Sequence, residues 1–260
     1  MTARILFRFH HNEQVCCQNL HILRLLNPDV AIDGMYGGPG APPQAVVDLL
    51  DNCWTIPLED PHYKWKNGDL CVRWWFKQEG HKHSFSHLSL IEWDLLLLKS
   101  LAGIFGTFDA NTNYASLFGD TAEAKRINWY WIREQFGYEI GRTLHHLNES
   151  GKPVDFDKLE FGIMGGCVFS RKFLEMFAAG EIRSHSNDEA RFSVYSAAYG
   201  IPLKDNGLLR DPRNRFNADN QEYGESDLDA VISAGGKVIH PLRIVIPDLA
   251  EKILKYQTPS

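Results

Sequence analysis

The chain predicts an α/β fold, a mostly parallel central sheet flanked by helices, on three observations. In its N-terminal part, short apolar runs alternate with stretches of helical period in the order strand, helix, strand, helix. Breakers such as Asn27-Pro28 and Gly37-Gly38-Pro39-Gly40 separate these stretches. Of the 260 residues, 44% are hydrophobic and 23% charged, which suits one packed domain. Strands joined through helices in this way form an open parallel sheet, and such sheets bind ligands at the carboxyl ends of their strands.

The first strand is Ile5-Leu6-Phe7-Arg8-Phe9, ending in His10-His11-Asn12. The helix after it places Val15, Leu20, Ile22, Leu23, Leu25 and Leu26 on its apolar side and stops at Asn27-Pro28. Val30-Ala31-Ile32 reads as a second strand running into Asp33 and a glycine-rich bend through Gly40, where backbone can approach a ligand closely. A second helix follows from Ala45 to Leu50, then a third strand around Trp54-Thr55-Ile56-Pro57. Asn67-Gly68 is a turn, and Asp69 caps an aromatic helix from Leu70 to Lys77. Phe85 to Ile91 is the central strand. Residues 109–157 are rich in aromatics and carry no assigned element. Beyond them, Phe161 to Ser170 is strand-like and Arg171 to Ala178 a short helix. Asn187-Asp188-Glu189 opens a helix running to Tyr199, and Lys237 to Arg243 forms a late strand or turn. No repeat or linker divides the chain, so a single domain over 1–260 is expected.

Charge and motifs exclude several classes. The net charge is −6, with 27 basic against 33 acidic residues, which argues against a general nucleic-acid binder. The most apolar region, Leu88 to Phe108, is interrupted by Glu92, Asp94 and Lys99, so no integral membrane segment is expected. Arg8 stands where the apolar part of a signal peptide would lie. Five cysteines without a CxxC pair speak against a disulfide framework and for a reducing, cytoplasmic location. Neither a GxxxxGK loop nor a GxGxxG fingerprint occurs, which counts against a P-loop NTPase or a Rossmann dehydrogenase. The histidines at 81, 83 and 87, and the pairs 10-11 and 145-146, lack zinc-site spacing and read as solvated loop residues.

One triplet stands out. Glu92-Trp93-Asp94 ends the central strand, and in extended chain two carboxylates one residue apart point the same way. At a strand end such a pair can hold a hard cation while the cation holds phosphates; the plainer alternative is a charged strand end without a ligand.

The order of motifs resembles a glycosyltransferase of the GT-A fold. The resemblance rests on the α/β start, on Glu92-Trp93-Asp94 as a variant of the acidic DxD motif, on Phe161-Gly-Ile-Met-Gly-Gly-Cys-Val-Phe-Ser, on Asn187-Asp-Glu-Ala-Arg, and on the late His240. It implies a donor half over about residues 1–108 and an acceptor half over about 109–260. It also implies a nucleotide-diphosphate sugar donor, UDP-linked, an unknown glycan or small-molecule acceptor, and inversion at the transferred sugar. The implied cofactor is Mn²⁺ or Mg²⁺, with Asp94 as its ligand, His240 as a further one, and Glu92 a ligand through water or a contact to the donor ribose. Trp93 packs or lines the donor pocket. Arg8, His10, Asp33 and Tyr36 lie where the fold would hold the nucleotide, and Asp69 and Arg73 where ribose or diphosphate would lie. Structural alternatives are a cap for Asp69 and an ion pair for Arg73. Gly165 and Gly166 allow close approach of the acceptor. Asp188 or Glu189 would take the acceptor's proton, with Asp188 favoured and helix capping the alternative.

Two other readings stay open. A nucleotidyltransferase on a related scaffold would carry a basic glycine-rich loop after the first strand, where this chain has His10-His11-Asn12-Glu13. A catalytically silent sugar- or nucleotide-binding protein would bind without turnover.

Overall fold

The computed structural model describes residues 2–217 and 221–257. Its strands are β1 (Ala3–Phe9), β2 (Ala31–Tyr36), β3 (Asn52–Thr55), β4 (His87–Glu92), β5 (Leu96–Leu97), β6 (Asn113–Asp120), β7 (Glu160–Ser170), β8 (Leu203–Asp205), β9 (Arg215–Phe216) and β10 (Val238–His240). Seven pair in the order β3-β2-β1-β4-β7-β6-β8, and three more in the order β5-β10-β9. The expected α/β class with a mostly parallel central sheet and intervening helices is therefore observed.

Packing divides the chain into two compact units. One gathers residues 1–57, 89–108 and 207–260, and the other gathers 58–88 and 109–206. In chain order the expected halves met near residue 108; packing instead places 58–88 with the second unit and 207–260 with the first.

In the first unit, β1 pairs parallel to β2 and β2 parallel to β3, with Phe9 opposite Tyr36 and Tyr36 opposite Thr55. Phe7, Phe9, Leu20, Leu23, Ile32, Ile91, Leu96, Val238 and Ile239 form its core. Each such side chain, fully buried, stabilises the fold by about 1.5–3 kcal/mol. The helix Glu13–Leu26 starts where Asn12, at φ 57°, accepts from the Val15 N–H at 3.4 Å. Asparagine tolerates that left-handed backbone and supplies the cap. The second strand runs further than its apolar residues suggest, to Tyr36 rather than Ile32. The second helix is a short Gln44–Val47.

In the second unit, β6 pairs antiparallel to β7 and parallel to β8. β6 and the helix Glu134–Glu149 lie in the stretch to which the sequence assigned no element. Its core is aromatic: Phe169, Phe173, Phe177, Phe192 and Tyr195 pack ring on ring. The aromatic helix spans Gly68–Gln78 with Asn67 at its cap position, so Asp69 sits inside its first turn rather than capping it. The helix Asp188–Ala198 is capped by Asn187, whose side chain accepts from the Ala190 N–H at 3.1 Å. All five cysteines are free thiols.

Candidate functional site

The strand carrying the acidic triplet ends at Glu92. The Leu95 N–H then bonds the Glu92 carbonyl at 3.0 Å, closing a turn over Trp93 and Asp94. The extended geometry expected for the triplet is thereby broken, and its two carboxylates go to different partners. Glu92 forms an ion pair with Arg8 of β1. Asp94 is delivered to β10, because β5 begins two residues later and pairs antiparallel to β10, Leu96 opposite Ile239. That register carries the chain after Ile239 back past Asp94, where the Leu242 N–H bonds the Asp94 carbonyl at 2.7 Å.

The Asp94 carboxylate is consequently buried between two basic side chains. Its Oδ2 accepts from Arg243 Nε at 3.0 Å, while Oδ1 lies 3.6 Å from His240 Nε2 and has no hydrogen-bond partner. Burial pushes the Asp94 carboxyl above the ordinary range, and Glu92 adds to this, while His240 and Arg243 pull the other way. An orphaned buried carboxylate oxygen is costly unless something occupies it. The His240 ring packs on Phe216, 4.8 Å between centroids.

Trp93 is buried and frames this corner. Its carbonyl accepts from Asn19 at 2.8 Å, and its ring meets His11 at 4.2 Å and His10 at 5.6 Å, with the Arg243 guanidinium 6.0 Å from its centroid. Arg8, His10, Glu92, Trp93, Asp94 and His240 are thus gathered in the first unit. Sequence reasoning missed Arg243 and His11. Only the step of three residues from His240 pointed to Arg243, and His11, expected with His10 to be a solvated loop residue, packs on Trp93 instead.

Other expected donor residues serve the fold. Asp33 lies inside β2, almost fully buried, and takes both Arg4 Nε at 2.6 Å and Nη2 at 2.7 Å, with Asn52 at 3.1 Å. The early strand end expected at Ile32 is what had placed it at a ligand. Tyr36 is buried, donates to the Pro39 carbonyl at 2.8 Å, and packs on Phe9. The same bend explains Gly38, where a Cβ would stand 2.3 Å from the His10 carbonyl oxygen.

In the second unit, Gly165 and Gly166 form a bulge. Ile163 faces Ser116 and Val168 faces Tyr114, so β7 carries extra residues where Gly166 adopts φ 74°. The bulge aims the Met164 N–H at Glu189 Oε1, 3.4 Å away, and Asn187 Nδ2 lies 3.4 Å from Oε2. Glu189 is half-buried, whereas Asp188 is buried and accepts from the Gly68 N–H at 3.1 Å and the Glu189 N–H at 2.9 Å. Asp188 thus ties a helix start to the aromatic helix, and Glu189 is the more accessible acid.

Asp69 and Arg73 are likewise engaged within this unit. Asp69 pairs bidentately with Arg191 at 2.5 and 2.8 Å, both side chains buried. Arg191 also donates to the carbonyls of His185 and Ser186, each at 3.0 Å, and to Asn67 Oδ1 at 2.9 Å. Burial lowers the Arg191 pKa, and the Asp69 carboxylate beside it more than offsets this, so it lies above the ordinary value. Arg73 caps the helix Arg171–Ala179, donating to the carbonyls of Phe177, Ala178 and Gly180. It is a helix cap rather than a surface ion pair.

Among the described residues, no group of three or more His, Cys, Asp or Glu side chains is gathered for a metal ion. The expected trio of Glu92, Asp94 and His240 is reduced to two, since Arg8 takes Glu92. A divalent cation fits the remaining pair, because a carboxylate oxygen with nothing donating to it faces an imidazole nitrogen, a donor set Mn²⁺ accepts.

No family model matches the chain, and no curated protein matches it. Solved glycosyltransferases are similar to it in structure. A galactosyltransferase LgtC in complex with donor and acceptor sugar analogs is 13% identical over 77% of this chain and 72% of that one, with a TM-score of 0.44. An active-site mutant of LgtC is 13% identical, covering 98% of this chain and 95% of that one, at 0.47. The WbbM bifunctional glycosyltransferase is 11% identical over 98% of this chain and 49% of its own length, at 0.46. No helix among the described residues is long and apolar enough to cross a membrane.

Proposed function

We propose that this chain is a single-domain glycosyltransferase of GT-A type that moves a sugar from a nucleotide-diphosphate donor, UDP-linked, to a hydroxyl acceptor. The observation that carries the reading is the buried Asp94 Oδ1, unpartnered and 3.6 Å from His240 Nε2 just beyond the end of a parallel-sheet strand. Asp94 and His240 would hold Mn²⁺ or Mg²⁺, which when bound supplies charge neutralisation for a diphosphate leaving group. Arg243 occupies Oδ2 and so leaves Oδ1 facing His240. Arg8 holds Glu92 away from that pair. The sequence resemblance supports the same reading through the order of its motifs.

In the transfer, the acceptor oxygen bonds to the anomeric carbon as the bond from that carbon to diphosphate breaks, and the hydroxyl proton goes to a base. Exposure favours Glu189 over Asp188 for that base, with the Met164 and Asn187 N–H groups orienting its carboxylate. A base acting on the attacking hydroxyl gives inversion, which NMR of the product's anomeric centre reads directly.

The test is a thermal shift series over a nucleotide-sugar panel, with and without Mn²⁺. UDP-sugars are expected to raise the midpoint, and more so with the metal. If no nucleotide sugar stabilises the protein in either condition, the proposal fails, whereas stabilisation without any turnover selects the catalytically silent reading. Glu189→Gln is expected to lower kcat by roughly 10²–10⁴ while leaving donor affinity unchanged. A kcat equal to wild type removes Glu189 from the chemistry.

A further inference from the structure

The backbone leading into Asp188-Glu189 is strained at one residue. Ser186 is buried and adopts φ 61°, a left-handed conformation that serine rarely takes. Helix capping does not require it, because Asn187 already has the extended backbone of a cap residue, φ −99° and ψ 174°. The φ of Ser186 follows the orientation of the peptide plane between His185 and Ser186, and that plane is bonded at both ends. Its carbonyl, on His185, accepts from Arg191 Nη1 at 3.0 Å and from the Ser186 hydroxyl. Its N–H, on Ser186, donates to Glu139 Oε2 at 2.8 Å.

Glu139 lies on the helix Glu134–Glu149 and is itself anchored, since Lys66 Nζ pairs with the same carboxylate oxygen at 3.0 Å. Lys66 begins a run of four residues that reaches this segment: Asn67 and Asp69 bind Arg191, and the Gly68 N–H binds Asp188. A flip of the His185–Ser186 peptide would return Ser186 to an ordinary negative φ, and the bond to Glu139 opposes it by keeping a buried N–H satisfied. Strain retained by its surroundings beside a reacting group holds that group in place before substrate arrives. We infer, resting on Glu189 as the base, that Glu139 is a positioning residue: it locks this peptide in its strained orientation. That fixes Asn187, whose side chain lies 3.4 Å from Glu189 Oε2.

Steady-state kinetics on full-chain variants test the lock. Glu139→Ala is expected to lower kcat roughly tenfold with donor KM unchanged, the population factor that left-handed strain of this size imposes. Glu139→Gln keeps an oxygen for the Ser186 N–H and should recover most of that loss. Adding Ser186→Gly to Glu139→Ala should also recover most of it, because glycine takes φ 61° without strain. A purely stabilising ion pair with Lys66 predicts the reverse, with Glu139→Gln losing as much as Glu139→Ala and glycine recovering nothing. Hydrogen exchange without substrate reads the lock apart from activity. The Ala190 N–H, held by Asn187 Oδ1, should exchange faster in Glu139→Ala and return towards wild type once Ser186→Gly is added. Unchanged exchange or a wild-type kcat in Glu139→Ala, or no recovery by glycine, would overturn the inference. Glu189→Gln separates the two failures: at wild-type kcat it removes the base and the positioning role together, whereas a slow Glu189→Gln beside a wild-type Glu139→Ala removes the positioning role alone.

Discussion

Asp94→Asn is expected to abolish the Mn²⁺-dependent part of nucleotide-sugar binding and with it transfer, while the protein folds at least as well as wild type. The two halves of that result have one cause. Burial raises the Asp94 carboxyl above its ordinary range, so the folded chain binds a proton more readily there than the unfolded chain does. Stability attached to this group is therefore greatest at low pH and falls as pH rises from the ordinary carboxylate value through the raised one. Asparagine has the same shape and no charge to desolvate, so the variant should lose that decline and show an equal or higher unfolding midpoint at neutral pH. It still offers an oxygen to Arg243 Nε, so the contact at 3.0 Å can persist. What it cannot do is present an anionic oxygen beside His240 Nε2. Calorimetric titration with and without Mn²⁺ reads the functional half, and thermal unfolding between pH 4 and 8 reads the other. Manganese dependence that survives the substitution removes Asp94 from the metal site. A midpoint well below wild type instead assigns the carboxylate a structural role.

His240 followed the same logic in the sequence only by analogy. Its approach to Asp94 depends on β5 and β10, strands of two and three residues, too short to announce themselves as periodic patterns. Longer elements were legible because burial leaves a signature in composition. β1, the helix Glu13–Leu26, β4 and β7 all fall close to the apolar runs that predicted them. Asp33 shows where this fails: a polar residue after Val30-Ala31-Ile32 looks like a strand end, yet Arg4 lets the strand carry it through the interior. β6 went unseen because Asn113, Tyr114 and Ser116 mix polar with apolar residues, their polar atoms being satisfied by contacts far along the chain, such as Ser116 with Asn206. The Asp188 and Glu189 positions were legible as a helix start, but which of them stays accessible was not. That is decided by the Gly68 N–H, 120 residues away, which turns Asp188 inward.

Arg191→Met is expected to lower stability by about 3–5 kcal/mol, because it leaves a buried carboxylate without its counter-charge. This is a large share of the roughly 5–15 kcal/mol that holds an ordinary domain folded. The guanidinium donates to five acceptors at once: both oxygens of Asp69, Asn67 Oδ1, and the carbonyls of His185 and Ser186. Arg191→Lys should recover little, since a single ammonium cannot reproduce a planar fork reaching four separate groups. Replacing both partners, Asp69→Leu with Arg191→Met, should cost clearly less than the sum of the single changes, because the Asp69 charge is then removed together with its counter-charge. Urea denaturation followed by circular dichroism measures all four proteins, and additive losses would show that the two side chains do not act as a pair. The damage should also reach the chemistry. His185 and Ser186 lead directly into the Asn187 cap of the helix that begins Asp188-Glu189, so untying their carbonyls loosens the residue that orients Glu189. In the surviving folded fraction of Arg191→Lys, kcat should therefore fall while the affinity for a nucleotide sugar, read by calorimetry, stays at the wild-type value. A loss of nucleotide affinity with kcat intact would place Asp69 and Arg191 at the donor instead of beneath the helix start.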